Sequence, residues 1–403
     1  MSHGRQLACW GAVLAVACGT STQVPFVRPG IEVLLSDSLH VLAGKRVGVL
    51  TNQSGIDRHG TNDIDLLLGA GVHLTALFSP EHGFRGLMDQ ASIGDEVDAA
   101  TGLPIFSLYG DTRAPTAEML RMVDIVIIDL QDIGTRTYTY ISTALLAMRS
   151  ARVAGVEVVI LDRPNPIGGR LVQGPTMSPS DTSFIGLLQI PMRHGLTFGE
   201  LALYGNAELR IGARLTVIPM DGWRRELWYD ETGLPWVAPS PNMPDLESAT
   251  HYAGTVIFEA TNLSVGRGTP LAFQVVGAPW LRPAAVLERL GDVPGVILSD
   301  TVVTPEAPTD GKYDGLRLPA IRLLVSDRRL YDPVRLAARI LASVDSVHGD
   351  SLTLSPGRFD RLIGTRGLRQ VLHGAGDWPS LWRAWARARE AFETRRSGVL
   401  LYR

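Results

Sequence analysis

DIVIIDLQDIGTRTYTYISTALLAMRSARVAG, residues 124–155, holds a strand, a polar turn and a helix in one piece. Asp124–Leu130 is a short, almost unbroken run of Ile, Val and Leu, which reads as a strand covered on both faces. Tyr138–Ala154 has the length and spacing of a helix. VEVVILD, Val156–Asp162, is a second buried strand of the same kind. A strand, a crossover helix and another two-face-buried strand argue a parallel pair in a covered sheet.

The same alternation extends outward in both directions. KRVGVLT (Lys45–Thr51) and HLTALFS (His73–Ser79) read as strands, separated by the helical NDIDLLLGAG (Asn62–Gly71). Residues 116–122 read as helical. Thr197–Glu208 is a further helix and RLTVIPM (Arg214–Met220) a further strand. The fold class is therefore α/β, a Rossmann-like, mainly parallel sheet with helices on both faces. Residues 221–248 carry Trp223, Trp228, Trp236 and four prolines without periodicity, and read as the join to a second part. There the pattern predicts strands near 254–258, 271–277 and 316–325, and helices near 333–347 and 378–394. The predicted organisation is a leader over 1–22, a Rossmann-like domain over 27–248 and a smaller C-terminal α/β domain over 249–403.

Composition narrows the function. Lys and Arg total 38 against 41 Asp and Glu, for a net charge of −3. No basic surplus supports a phosphate footprint, so nucleic acid is not an expected partner. The two cysteines, Cys9 and Cys18, both lie in the first 20 residues. A thiol nucleophile and a Cys-based zinc site in the body of the protein are thereby excluded. No HExxH motif occurs among the nine histidines, and no metal site is predicted. There is no GxGxxG after the first strand, no GxxxxGK[ST] and no GxSxG, so dinucleotide, triphosphate and α/β-hydrolase readings lack their fingerprints.

Residues 1–22 read as an export signal. Arg5 supplies the positive start, and Leu7–Ala17 is an apolar segment too short to span a bilayer. It ends LAVAC at Cys18, followed by Gly-Thr-Ser-Thr, like a bacterial lipoprotein cleavage box. The expectation is an exported protein, periplasmic or at the cell surface, whose membrane contact is a lipid anchor at Cys18.

Four polar, glycine-bearing loops each follow a predicted parallel strand: TNQSG (51–55), SPEHGFRG (79–86), DLQDIGTRTYTY (129–140) and DRPNPIGG (162–169). In a parallel sheet the carboxyl ends share one rim, where ligands bind. Asn52 belongs to the first loop. Glu81 sits in a Pro-Glu-His-Gly turn beside Phe84, placed to serve as a general acid, with His82 and Arg85 as neighbours. Asp129 ends a very apolar strand, with Asp132 after it as a candidate helix cap. Arg136 and Tyr138 suit an anionic sugar, the one as a fork for a carboxylate and the other as a ring face. Arg193 and His194 precede a helix whose Thr197 and Glu200 fit a capping box. In the second part, FEATNLSVGRGTP (258–270) gathers Glu259, Asn262 and Arg267; Glu259 is either a second carboxylate at the cleft or the partner of Arg267 in a buried ion pair. Carboxylates, arginines, histidines and aromatics without thiol, metal or nucleotide motif suit glycoside hydrolysis.

The ordered series TNQSG, PEHGFRG, QDIGTRTYTYIS, DRPNPIGG, PMRHGLTFGELA, PSPNMP and FEATNLSVGRGT, closed by GVLLYR, resembles the NamZ-like family of bacterial exo-β-N-acetylmuramidases, long grouped as a domain of unknown function. The resemblance runs from about residue 30 to the C-terminus. It implies an active cleft between the two domains and release of N-acetylmuramic acid from non-reducing ends of peptidoglycan-derived sugar chains, with no cofactor. It also implies that the catalytic residue of the EHG motif is Glu81. The second catalytic group stays open among Asp129, Glu259 and a tyrosine such as Tyr138, and the substrate's 2-acetamido group is a further candidate nucleophile. The sequence departs from the family pattern at Ala260 and Val265, where the usual form is FEGTN-x-SEGRGT, and at Gln173, where EGP is common. Those departures motivate a rival reading as a non-catalytic cell-wall-binding lipoprotein. An amidase or esterase of cell-wall fragments is the other rival.

Overall fold

The computed structural model describes residues 1, 26–85 and 94–403. The leader, with Arg5 and Cys18, and residues Gly86 and Leu87 lie outside the described residues.

The strands are β1 (Val47–Thr51), β2 (Leu74–Ser79), β3 (Glu96–Val97), β4 (Pro104–Ser107), β5 (Ile125–Asp129), β6 (Glu157–Leu161), β7 (Gln173–Thr176), β8 (Pro191–Arg193), β9 (Leu215–Ile218), β10 (Val275–Gly277), β11 (Val296–Val303) and β12 (Leu318–Val325). A seven-stranded sheet has the order β3-β4-β2-β1-β5-β6-β9. All its pairings are parallel except that of edge strand β3. β1 and β5 are buried along their whole length, as strands with helices on both faces must be. β7 and β8 form an antiparallel hairpin, and β10-β12-β11 a small antiparallel sheet.

Helices α1 (Gly30–Val33), α2 (Asp63–Gly69), α3 (Ala117–Leu120), α4 (Tyr140–Ala154) and α5 (Phe198–Glu208) belong to the first part. The second part contains α6 (Leu246–Thr255), α7 (Pro283–Leu290), α8 (Pro333–His348), α9 (Pro356–Ile363), α10 (Gly367–Leu372) and α11 (Trp378–Arg396). Local chemistry starts several of them. Asn62 accepts from Ile64 N at 2.8 Å, Asp245 from Ser248 N at 2.8 Å, and Asp377 from Ser380 N at 2.8 Å. Thr197 and Glu200 form the predicted capping box at α5.

The mainly parallel α/β architecture holds, but one predicted element does not. Residues 254–258 form the end of α6 and a 3-10 turn over Val256–Ala260, not a strand. The segment is buried on every side, so it has no polar face to reveal a helical period. Gly254 also permits close packing: a Cβ there would lie 2.0 Å from the Pro333 carbonyl oxygen at the start of α8.

The carboxyl ends of the parallel strands carry buried charge. Asp129, at the end of β5, is fully buried and receives two hydrogen bonds from Arg163, one from Nε and one from Nη2 at 2.8 Å. Arg163 Nη2 also donates to Ile56 O at 2.8 Å. Asp63 lies in the same cluster and accepts from Thr51 Oγ1 at 2.5 Å. Burial pushes both carboxyls upward, and Arg163 pulls each back down. Replacing Arg163 with Ala leaves two buried carboxyls without their cation. The expected loss is about 3–5 kcal/mol of unfolding free energy, read from denaturant titration; a change below about 1 kcal/mol, the scale of an exposed pair, would contradict this account.

Candidate active site

The PEHG turn leaves β2 at the carboxyl rim. Gly83 N bonds Pro80 O at 3.1 Å, and His82 adopts φ 73°, an uncommon conformation for a side-chain-bearing residue. This turn directs Glu81 and His82 into a cleft of about 250 Å3. Thr137, Tyr138 and Thr139, just before α4, form one wall, and the Thr139 hydroxyl donates to Glu81 Oε2. Ser240 and Asn242 come from the proline-flanked PSPNMP segment. Tyr252 (α6), Glu259, Arg267 and Arg358 (α9) close the cleft from the second part of the chain.

Glu259 is an ion-paired carboxylate. Arg267 Nε donates to its Oε1 at 2.7 Å, and Arg358 Nη2 lies 3.6 Å from its Oε2. Arg267 also lies over the Phe273 ring, 5.1 Å from its centroid. Tyr138 meets Tyr252 edge to face at 6.3 Å, and Tyr252 meets Phe273 at 4.7 Å. Burial pushes the Tyr138 and Tyr252 phenols above their ordinary range, so both present neutral hydroxyls and ring faces.

Of the residues singled out from sequence, Glu81, His82, Tyr138, Glu259 and Arg267 meet in this cleft. The others are placed elsewhere. Asp129 is paired with Arg163, as above. Asn52 is buried, donates to Tyr140 OH at 2.8 Å and accepts from Ser54. Arg85 is exposed, 3.7 Å from Asp98. Arg136 is buried and donates to the backbone carbonyls of Pro175, Ile190 and Leu362. Arg193, also buried, donates to Gln173 Oε1 at 3.0 Å and to Ile167 O, and lies over the Trp228 ring. Asn262 fastens residues 351–353 by two backbone hydrogen bonds. Arg136 and Asn262 satisfy themselves on backbone groups, whereas Asp129, Asn52, Arg85 and Arg193 take side-chain partners, Arg193 with a backbone carbonyl besides.

Asp132 does not cap α4; it accepts from Gly134 N at 2.7 Å and lies 3.8 Å from His194 Nε2. Burial, with Arg396, Arg136, Arg193 and Arg225 nearby, pushes the buried His194 down to about 3, so it is neutral. Thr137, Thr139, Ser240, Asn242, Tyr252 and Arg358 escaped the sequence reading. For Ser240 and Asn242 the alternation with prolines was a usable signal. Tyr252 and Arg358 sit in ordinary helical sequence and carried none. Among the described residues no group of three or more His, Cys, Asp or Glu could hold a metal ion.

Two carboxylates facing one small, aromatic-walled cleft between two α/β parts is an arrangement of the glycoside hydrolase class. The chain belongs to the NamZ family of exo-β-N-acetylmuramidases: residues 47–247 match the family's N-terminal model and residues 250–402 its C-terminal model. It is 40% identical over 386 residues to the peptidoglycan β-N-acetylmuramidase NamZ of Bacillus subtilis strain 168, covering 94% of this chain and 92% of that protein. Crystal structures of two DUF1343 family proteins from Bacteroides fragilis are similar throughout. One is 35% identical with a TM-score of 0.86, the other 30% identical with a TM-score of 0.76; each alignment covers 94% of this chain and 99% of the other.

Burial raises Asp132 from 3.8 to about 7. The folded protein therefore holds this proton more tightly than the unfolded chain does, and Asp132 erodes stability as pH rises from about 4 to about 7. Asp132→Asn keeps the acceptor for Gly134 and removes the titration. Its unfolding free energy relative to the wild type should climb across that window and be level below it. A flat or falling difference would show that Asp132 is ionised in the folded protein.

Proposed function

We propose that this chain is an exo-acting β-N-acetylmuramidase that removes N-acetylmuramic acid from the non-reducing ends of peptidoglycan-derived chains. One observation carries the reading: Glu81 and Glu259 line a single cleft in which Glu259 stands between two guanidiniums. A volume of about 250 Å3 is small beside ordinary ligand pockets of roughly 300–1,000 Å3 and suits one sugar residue rather than a run of them.

Glu81 is the proton donor to the leaving sugar oxygen, oriented by the Thr139 hydroxyl. Arg267 and Arg358 bring two positive charges against the one carboxylate of Glu259. The surplus charge meets the lactyl carboxylate, the group that distinguishes muramic acid from N-acetylglucosamine. Tyr138 and Tyr252 offer faces to the ring. Because Glu259 is engaged by two cations, the substrate's own 2-acetamido oxygen is the nucleophile in this reading, and Glu81 then returns as base toward water.

Turnover of a chromogenic β-N-acetylmuraminide and its β-N-acetylglucosaminide counterpart tests the assignment. A charge-assisted contact of roughly 1.5–3 kcal/mol predicts a preference of about 10- to 150-fold for the muraminide. Glu81→Gln should melt like the wild type yet lose about 10²–10⁴-fold in turnover of a natural disaccharide, and less on a nitrophenyl leaving group that needs little protonation. Equal turnover of the two sugars refutes the substrate. A well-folded Glu81→Gln variant keeping more than about a tenth of its activity on the disaccharide refutes the acid.

The reading includes export, supported by Arg5, the apolar Leu7–Ala17 segment and Cys18. Cleavage before Cys18 and acylation there predict that the mature chain sediments with membranes, and that Cys18→Ala releases it. Membrane retention of a correctly cleaved Cys18→Ala protein contradicts the anchor.

A further inference from the structure

A second groove lies in the C-terminal part and shares no lining residue with the Glu81 cleft. Its larger section, of about 590 Å3, lies among α7, α8 and the start of α11; a smaller section of about 220 Å3 runs toward the β7 end. The two adjoin at Asp332, Arg335 and Trp382, which line both, and together they are treated as one trough.

Its wall is unusual. Trp378, Trp382 and Trp385 recur at helical spacing on one face of α11. Trp378 and Trp382 stack with centroids 5.3 Å apart and 29° between planes, and Trp385 meets Trp382 edge-on at 4.9 Å. Arg335 lies 4.8 Å above the Trp382 ring. Trp385 is only 7% exposed, and its indole N–H has no hydrogen-bond partner among the described residues. Arg289, Arg335 and Arg389 line the trough, and none of them forms an ion pair among the described residues. The one acidic lining residue, Asp332, is occupied in capping α8, accepting from Val334 N and Arg335 N.

We propose that this trough is a second, non-catalytic binding site for an acidic glycan chain, in which the tryptophans take the apolar faces of sugar rings and the arginines take carboxylates. Two adjoining sections accommodate more than one residue, whereas the Glu81 cleft suits one. A soluble fragment would then need the cleft alone, while an insoluble polymer would be held by the trough as its ends are trimmed. The choice of a muramic-acid glycan as the occupant rests on the function proposed above. Nucleic acid also carries anions and stacking rings, and is the alternative occupant that oligonucleotide competition tests.

The test is co-sedimentation of the full chain with insoluble peptidoglycan, alongside turnover of the soluble chromogenic muraminide. Trp378→Ala, which removes a ring face, and the exposed pair Arg335→Ala/Arg389→Ala, which removes two charge-assisted contacts of roughly 1.5–3 kcal/mol each, should each weaken retention by at least about tenfold. Turnover of the muraminide should be unchanged in both variants, which also reports that they are folded. Chitin, which lacks the carboxylates, should not retain the wild type. Retention that is absent from the wild type, unaffected by both variants, or equal on chitin overturns the proposal. So does competition by a single-stranded oligonucleotide, or a change in the variants' oligomeric state by light scattering, each of which assigns the trough to another occupant. Failure of the catalytic reading looks different: no muraminide turnover, with trough-dependent retention intact.

Discussion

The guanidinium of Arg136 is the fixed point of the cleft, although it never faces it. It is buried without a carboxylate and must place its donors on backbone carbonyls, which it finds at Pro175 and Ile190 around the β7–β8 hairpin and at Leu362 in α9. Burial lowers it to about 9, yet it still carries its charge at neutral pH. Three segments far apart in sequence are thereby held in one register, and the next residues, 137–139, form the wall that holds Glu81. Gly364 belongs to the same constraint, since a Cβ there would lie 2.7 Å from an Arg136 nitrogen. The catalytic geometry proposed here thus depends on an internal cation whose bonds are all structural.

The same physics explains why the rim loops are so polar. Asp162, raised to about 7 by burial, accepts from Thr197, Gly199 and Tyr402. Glu200 accepts from Arg225 and from Leu401 N, so the closing residues of the chain are fastened beneath the first sheet's rim. Parallel strands ending inside a protein leave backbone and side-chain groups that water cannot reach, and each must be matched. Polar motifs at strand ends are therefore recruited for satisfaction as readily as for chemistry. Arg136, Arg193, His194 and Asp129 all serve that first purpose.

The departures from the family pattern lie outside the cleft as well. Val265 is fully buried in the core, and the carboxylate paired with Arg267 is Glu259, so the ion pair survives without an acid at 265. Gln173 receives a hydrogen bond from Arg193 and donates to Tyr331 O, bridging the hairpin to the second part with a neutral amide. Neither position contributes a group to the Glu81 cleft.

By itself the sequence determined the strand–helix alternation, the parallel sheet, the rim on which the Glu81 cleft lies and the placement of Glu81 in a tight turn. These follow from local rules: β-branched runs that favour buried strands, caps that start helices, and a Pro-x-x-Gly turn. Only the tertiary structure decided which polar residues face the cleft. Glu259 and Arg358 come to the Glu81 cleft from the far half of the chain, and no local pattern distinguishes a buried arginine that satisfies carbonyls from one that meets a ligand. The misread segment at 254–258 has the same cause. Where a stretch is covered on all sides, its periodicity vanishes, and what packs around it, rather than its own residues, settles its conformation.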